Sequence, residues 1–292
     1  MKRVCIIVLN YNNIQDTLEC LESLEKLSYN EKKIVLFDNG SDREIFRKIQ
    51  EEVLKRFPRV EILRSERNLG YAAGNNAVIK RHLDFDYVFL VNNDVVLESD
   101  TLEAMVKEME RDERIAACQP VIYYYGSDKI WSCGTKIFFG YPMLYMKGKR
   151  IKIRDSFEPP FGLVGCAMLI RTAALKDVGF FDEDLYLMHE ETDWCIRARK
   201  KGYRFLVVNV KAYHKVSRTI GLFSEKYLYY TARNWLIVAK KCGLGMFMYA
   251  ILTEPLRILY YMIKSRKNVA FYLKGLIDAL SGVKGEGNVC RR

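Results

Sequence analysis

VCIIVLNYNN, residues 4–13, sets the reading of the whole chain. The run from Val4 to Leu9 is unbroken and apolar, and it stops at Asn10-Tyr11-Asn12-Asn13. A run this short, rich in Val, Ile and Leu, reads as a strand buried on both faces. Similar runs recur at 34–37, 60–63 and 87–91. Between them, 14–27, 43–56 and 72–81 carry helical spacing, as in Leu18, Leu21, Leu24 and Leu27. Strand, helix, strand at this rhythm predicts an open, mostly parallel α/β sheet.

Open α/β sheets bind ligands beyond the carboxyl ends of their strands. Here those ends are polar: Asn10-Tyr11-Asn12, then Asp38-Asn39-Gly40-Ser41-Asp42, then Asn92-Asn93-Asp94. Asn, Asp, Gly and Ser also build turns and caps, so any one end has a purely structural reading. Three coincident ends line one sheet edge with donors, acceptors and acids. Further along, Gly and Pro interrupt aromatic runs over 120–162. Residues 163–170 read as a strand, 189–201 as a helix and 203–208 as another strand. From 224 to 281 the chain reads as helical, with breaks expected at Gly243-Leu244-Gly245 and at Pro255.

The chain has 292 residues, half of them hydrophobic, which excludes a disordered or fibrous protein. Its net charge is +11, but residues 201–292 carry +13 and residues 1–200 carry −2. An anionic partner for the C-terminal segment follows from that asymmetry. Eight dispersed cysteines without a C-x-x-C pair argue against zinc ribbons and for buried thiols in a reducing compartment. The apolar run after Lys2-Arg3 is too short for a signal-peptide core, so a cytoplasmic protein is expected. No G-x-G-x-x-G follows the first strand, and no G-x-x-x-x-G-K-[ST] occurs.

What remains is an oxygen-ligand site. Asp94 follows an apolar strand and projects at the sheet edge. A hard cation such as Mn²⁺ or Mg²⁺ takes one or two carboxylates and completes its shell with water and phosphate oxygens. Asp38 stands on the neighbouring strand end, where it can accept from a nucleobase or sugar hydroxyl. A second acidic cluster, Glu190-Glu191-Thr192-Asp193, opens a helix. There it either complements the helix dipole, with Asp193 pairing to Arg197, or supplies a general base.

The ordered set VLNYN (8–12), DNGSD (38–42), NLGYAAGNN (68–76), NND (92–94), GCAMLIR (165–171) and GFFDEDLYLMHEETDWCIRARKKGYR (179–204), with a later His214, resembles the family 2 glycosyltransferases. More narrowly it is similar to their rhamnosyltransferase-like branch, over about residues 3–235. The resemblance implies a GT-A fold with a Rossmann-like sheet, a nucleotide-sugar donor and inversion at the anomeric carbon. It implies that Asn10, Asn12 and Asp38 contact the nucleoside, and that Asn68, Gly70, Asn76, Asn92 and Asn93 shape the donor pocket. Asp94 would hold Mn²⁺ or Mg²⁺ on the diphosphate, with His214 nearby. Glu191 would be the catalytic base and Glu190 its neighbour, while Asp193 and Arg197 are structural. Two positions depart from the pattern. The D-x-D position reads Asn92-Asn93-Asp94, with one acid instead of two. The base is Glu where Asp is usual, which moves the carboxylate by roughly 1.5 Å.

The expected organisation is a glycosyltransferase domain over 1–223 and a basic helical tail over 224–292. Within the tail, MFMYAILTEPLRILYYMI (246–263) is nearly long enough to span a membrane, but a Glu, a Pro and an Arg sit at its middle. Its basic flanks suit an anionic membrane surface, which would place the protein at the inner face of the cell membrane. A homodimer contact is the other use of such a segment. Arg233-Asn234-Trp235 lacks the Q-x-x-R-W pattern of processive synthases, so a single addition to a glycan or lipid-linked glycan of a bacterial surface polysaccharide is expected. The alternatives are a sugar-nucleotidyltransferase-like enzyme, a basic nucleic-acid-binding protein and a non-catalytic scaffold. The tail's apolar block speaks against nucleic acid as a partner.

Overall fold

The structure, a computed structural model, describes residues 1–216, 221 and 223–287. The first half alternates as its periodicity predicts: β1 (Val4–Asn10), α1 (Ile14–Glu25), β2 (Lys32–Asn39), α2 (Arg43–Arg56), β3 (Glu61–Ser65), α3 (Gly70–Ile79) and β4 (Tyr87–Asn92). Asn13 starts α1, its side chain accepting from the Asp16 amide. There follow β5 (Val95–Leu97), α4 (Thr101–Met109), β6 (Ile115–Tyr124), β7 (Ile130–Ser132), β8 (Thr135–Phe138), β9 (Tyr141–Leu144) and β10 (Ala167–Arg171). Then come α5 (Thr172–Val178), a single 3-10 turn at Glu183–Leu185, α6 (Glu190–Lys200) and β11 (Arg204–His214). Three helices close the chain: α7 (Glu225–Cys242), α8 (Leu244–Lys264) and α9 (Val269–Leu280).

The main sheet runs β3-β2-β1-β4-β10-β6-β11-β5, with β7 added beside β6. The β3, β2, β1 and β4 strands are parallel, as are β6 and β11, while β10 enters antiparallel between β4 and β6. Alternate residues of β1 feed two cores: Val4, Ile6 and Val8 pack with α1 and α2, while Cys5 and Ile7 pack with α3. Both faces are therefore covered, which is why the strands read as unbroken apolar runs. The β8–β9 hairpin forms a separate two-stranded ribbon. Six cysteines are buried and free, Cys242 is free and half-buried, and Cys290 lies outside the described residues.

Three expectations need correction. The strand expected at 163–170 starts at Ala167, because 163–166 lead into the sheet edge. The strand expected at 203–208 continues to His214; register shifts at Val208/Lys211 break its alternation and hide the second half. Pro255 does not end its helix but lies inside α8. Side chains cover the carbonyls of the preceding turn there: Thr253 Oγ1 donates to Tyr249 O and Ala250 O, and Arg257 Nη2 donates to Ala250 O. No helix among the described residues is long and apolar enough to cross a membrane.

Candidate active site

Parallel pairing aligns the polar strand ends: Asn10 stands opposite Asp38, and Leu9 opposite Asn92. Asn10 ties them together. Its Nδ2 donates to Asp38 Oδ1 at 2.9 Å, and its Oδ1 accepts from Thr17 Oγ1 at 2.9 Å and from Asn93 Nδ2 at 3.3 Å. Asp38 is fully buried and also accepts from the Ser41 amide, with Arg64 Nε at 3.7 Å. Asn12 turns the chain in the left-handed region, φ 52°, and its Oδ1 accepts from the Asp42 amide at 2.9 Å. Asn39 Nδ2 reaches Asn68 Oδ1 at 3.1 Å and Gly70 O at 3.0 Å, fixing the loop that opens α3. Asn76 acts from behind, its amide spent on the backbone of Phe181 and on Glu183 Oε1. Asn92 is half-buried, and its amide donates to Cys166 O at 2.8 Å.

Gly70 has φ +81°, and a Cβ there would collide with the Tyr186 carbonyl oxygen. That same oxygen accepts from the Tyr71 amide at 2.6 Å, so the loop before α3 is sealed against the loop before α6. Gly70→Ala combines an unfavourable backbone region with a backbone clash. It is expected to cost about 1–3 kcal/mol, read as a lowered Tm with nucleotide binding weakened in parallel. An unshifted Tm would mean the seal is dispensable.

β11 brings His214 to Asp94. Antiparallel pairing sets His214 opposite Val95, next to Asp94, and the Lys215 amide donates to Asp94 O at 3.0 Å. His214 Nε2 lies 3.1 Å from Asp94 Oδ1, yet the two are not aligned as a hydrogen bond. Asp94 Oδ1 and His214 Nδ1 are both buried with no hydrogen-bond partner among the described residues. A buried carboxylate oxygen left open in this way fits a hard cation. No group of three or more His, Cys, Asp or Glu among the described residues forms a cage of its own. Asp94 and His214 would therefore hold Mn²⁺ or Mg²⁺ only with diphosphate and water oxygens completing the shell. A cavity of about 300 Å³ opens beside His214, lined by Tyr124, Tyr125, Lys215 and Val216.

The acid pair faces the same wall. Tyr71, whose hydroxyl donates to Gly165 O at 2.8 Å, has its phenol pushed up by burial and by the charges of Glu190, Glu191, Cys166 and Asp94. The Cys166 thiol is pushed up by burial, then by Asp94 and Glu191. Asp94 and Glu191 thus both act electrostatically on Tyr71 and Cys166. Burial raises Glu191 to about 7. Burial and the neighbouring Glu191 charge raise Glu190, whose Oε2 has no hydrogen-bond partner among the described residues. Both carboxyls are thus held above the ordinary carboxylate range, Glu190 by burial and by its neighbour's charge and Glu191 by burial.

What holds the pair comes from afar. The loop entering α6 is strained, with Tyr186, Met188 and His189 all at positive φ. Asn234 of α7 pins it, its Nδ2 facing Leu185 O at 2.7 Å, Leu187 O at 2.6 Å and Met188 O at 2.8 Å. Asp193 accepts from Arg197 Nε at 2.8 Å and from Lys241 Nζ at 3.0 Å, so α7 also grips the first turn of α6. His189 packs on Tyr141, and burial lowers it to about 4, which keeps it neutral. The Lys215 side chain is buried and donates to Asp16 Oδ1 and Glu19 Oε2, both at 2.6 Å, locking the end of β11 to α1. Sequence reading gave no role to Tyr71, Tyr186, Lys215 or Asn234. Tyr71 and Tyr186 stand inside the motifs at 68–76 and 179–204, whereas the partners of Lys215 and Asn234 lie far away in the chain.

A mixed, parallel-led sheet with helices on both faces and polar strand ends opposite a buried acid pair is the GT-A architecture. The profile of glycosyl transferase family 2 matches residues 5–179, and the chain belongs to that family. Among curated relatives, an uncharacterized protein of Sinorhizobium fredii, y4gI, is 26% identical over 66% of this chain. The chain spans only 22% of that protein's length. The N-acetylglucosaminyl-diphospho-decaprenol L-rhamnosyltransferase of Mycobacterium tuberculosis is 24% identical over 74% of this chain and 77% of its own. Among solved structures, a mannosyltransferase of Pyrobaculum calidifontis in complex with GDP-Man and Mn²⁺ superposes with a TM-score of 0.59. That match covers 96% of this chain and 74% of the other at 16% identity.

Proposed function

We propose that the protein is an inverting glycosyltransferase that moves a single sugar from a nucleotide-sugar donor to a hydroxyl of a glycan or lipid-linked glycan. The observation that carries this reading is the open, buried Asp94 oxygen beside His214 at the polar end of the sheet, together with the raised acid pair Glu190–Glu191 at the start of α6. Asn10, Asn12 and Asp38 form the nucleoside end, and Asn68, Gly70, Asn92 and Asn93 the walls of the donor pocket, with Asn76 bracing them. Asp94 and His214 would hold the metal, which would supply positive charge to the diphosphate.

In this reading Glu191 accepts the proton of the acceptor hydroxyl as the acceptor oxygen bonds to the anomeric carbon. The bond from that carbon to the diphosphate oxygen breaks, and its electron pair leaves with the diphosphate. Burial around Tyr71 and Cys166 keeps water from replacing the acceptor. The mycobacterial relative is named an L-rhamnosyltransferase of N-acetylglucosaminyl-diphospho-decaprenol, which supports testing a rhamnosyl nucleotide such as dTDP-rhamnose first, with a lipid-linked glycan as acceptor.

The direct test is a thermal-shift panel of dTDP, UDP and GDP with and without Mn²⁺, followed by transfer assays with the matching nucleotide sugars. Stabilisation by one diphosphate, enhanced by metal, is the expected result. Silence across the panel together with no transfer would overturn the reading.

The base assignment also fixes a pH dependence. Only ionised Glu191 can take a proton, so turnover should rise with pH along a limb centred near 7. Stability moves the other way. Between the ordinary carboxylate range and about 7 the folded state holds more protons than the unfolded chain, so stability falls as pH rises. Glu191→Gln should flatten both trends; persistence of either would assign it to another group.

A further inference from the structure

Helix α8 buries polar groups on its inner side and leaves a second apolar face open. Thr253 and Glu254 are buried, and Glu254 accepts from Arg257 on one oxygen and from the Tyr272 hydroxyl of α9, at 2.8 Å, on the other. Ala250, Ile251 and Tyr261 pack inward, while the apolar residues of the opposite face meet water. Met248, Leu252, Leu256, Leu259 and Ile263 recur at steps of three or four and share one face, with Leu252 and Ile263 still 72% and 73% exposed. α9 repeats the pattern with exposed Leu273, Ile277 and Leu280. The tip of the β8–β9 hairpin adds Phe138 and Phe139, both half-exposed. Arg257 Nη1 donates to Phe139 O at 2.8 Å, which fixes that tip against α8.

This apolar face has a cationic rim. Lys240, Lys264, Arg266 and Lys267 are exposed and form no salt bridge among the described residues. The acids of α8 and α9 are already spent, Glu254 as above and Asp278 on the Tyr229 hydroxyl at 2.6 Å. A second copy meeting this face about a two-fold axis would press one cationic rim on another, so charge disfavours a dimer here. An anionic lipid surface satisfies both the stripe and the rim.

We propose that α8, α9 and the Phe138–Phe139 tip form one docking face that lies in the headgroup layer of an anionic bilayer without crossing it. It extends the function proposed above by naming the face that would meet a lipid-linked acceptor, and rests on that reading for the acceptor alone.

The test is flotation of the full chain with vesicles of phosphatidylcholine alone and of phosphatidylcholine mixed with phosphatidylglycerol. Flotation is expected on the mixed vesicles, weakened by salt. Leu252→Glu with Leu256→Glu should abolish it, and Phe138→Ser with Phe139→Ser should lower partition about tenfold. Lys264→Gln with Lys267→Gln should lower it about 25-fold, at roughly fivefold per lost charge. Unchanged flotation in the Leu252/Leu256 variant would overturn the proposal. So would a dimer in sedimentation velocity that the same variant dissolves, since the face would then belong to a second copy. The variants are expected to keep the wild-type thermal shift with nucleoside diphosphate. A wild-type protein that floats but binds no nucleotide would defeat the proposed function and leave this docking face standing.

Discussion

Glu191→Gln is expected to lower turnover by about 10²–10⁴-fold while leaving nucleoside-diphosphate binding near the wild-type value. The side chain keeps its size and loses only the ability to take a proton. The buried setting of α6's first turn makes the exchange mild for the fold, since a neutral amide relieves the cost of an ionised group there. Glu191→Asp is the informative partner. Family resemblance makes Asp usual at this position, and the shorter side chain withdraws the carboxylate from an acceptor placed for Glu, so activity should fall without vanishing. Glu190→Gln separates the pair: removal of the acidic limb by this variant, and not by Glu191→Gln, would exchange their roles. Wild-type turnover in Glu191→Gln would end its assignment as base.

Asp94→Asn carries the second large effect, a loss of about 10²–10³-fold in turnover and of any metal enhancement of diphosphate binding. Asp94 is the sole acid of Asn92-Asn93-Asp94, so nothing beside it can take over the charge. Its open Oδ1 next to His214 Nε2 is the specific feature the variant neutralises. The metal-dependent part of the thermal shift separates loss of the metal from loss of the fold. A variant that keeps that part would show the cation binds elsewhere. His214→Ala should weaken the metal response less, because an imidazole contributes a ligand but no negative charge.

The sheet was legible because parallel strands covered on both faces leave an unbroken apolar run. β1, β2, β3 and β4 each lie within a few residues of where such runs occur. The strand ends were legible for the related reason that Asn10, Asp38 and Asp94 interrupt those runs abruptly. His214 was harder: a register shift at Val208/Lys211 breaks the alternation of β11, and only the pairing with β5 brings the imidazole to Asp94. Pro255 misled because helix interruption is a local rule, while α8 runs on through it with the Thr253 and Arg257 side chains bonding carbonyls of the preceding turn. Asn234 and Lys215 carried no signal at all. Each acts across a long stretch of chain on backbone or acids that local spacing cannot connect.

The grip of α7 on the loop before α6 bears on how this enzyme could be recombined with its relatives. The family match ends at residue 179, whereas the acid pair, His214, Asn234 and Lys241 all follow it. A chimera joined at that boundary would import the segment that carries β1 to β10 and keep a loop before α6 that is braced by its own helix. Joined instead between α6 and α7, it would pair a strained loop with a stranger's helix, and the carbonyls of Leu185, Leu187 and Met188 would lose their common donor. The unit to be exchanged intact thus runs from the 3-10 turn through Cys242 as a single cassette.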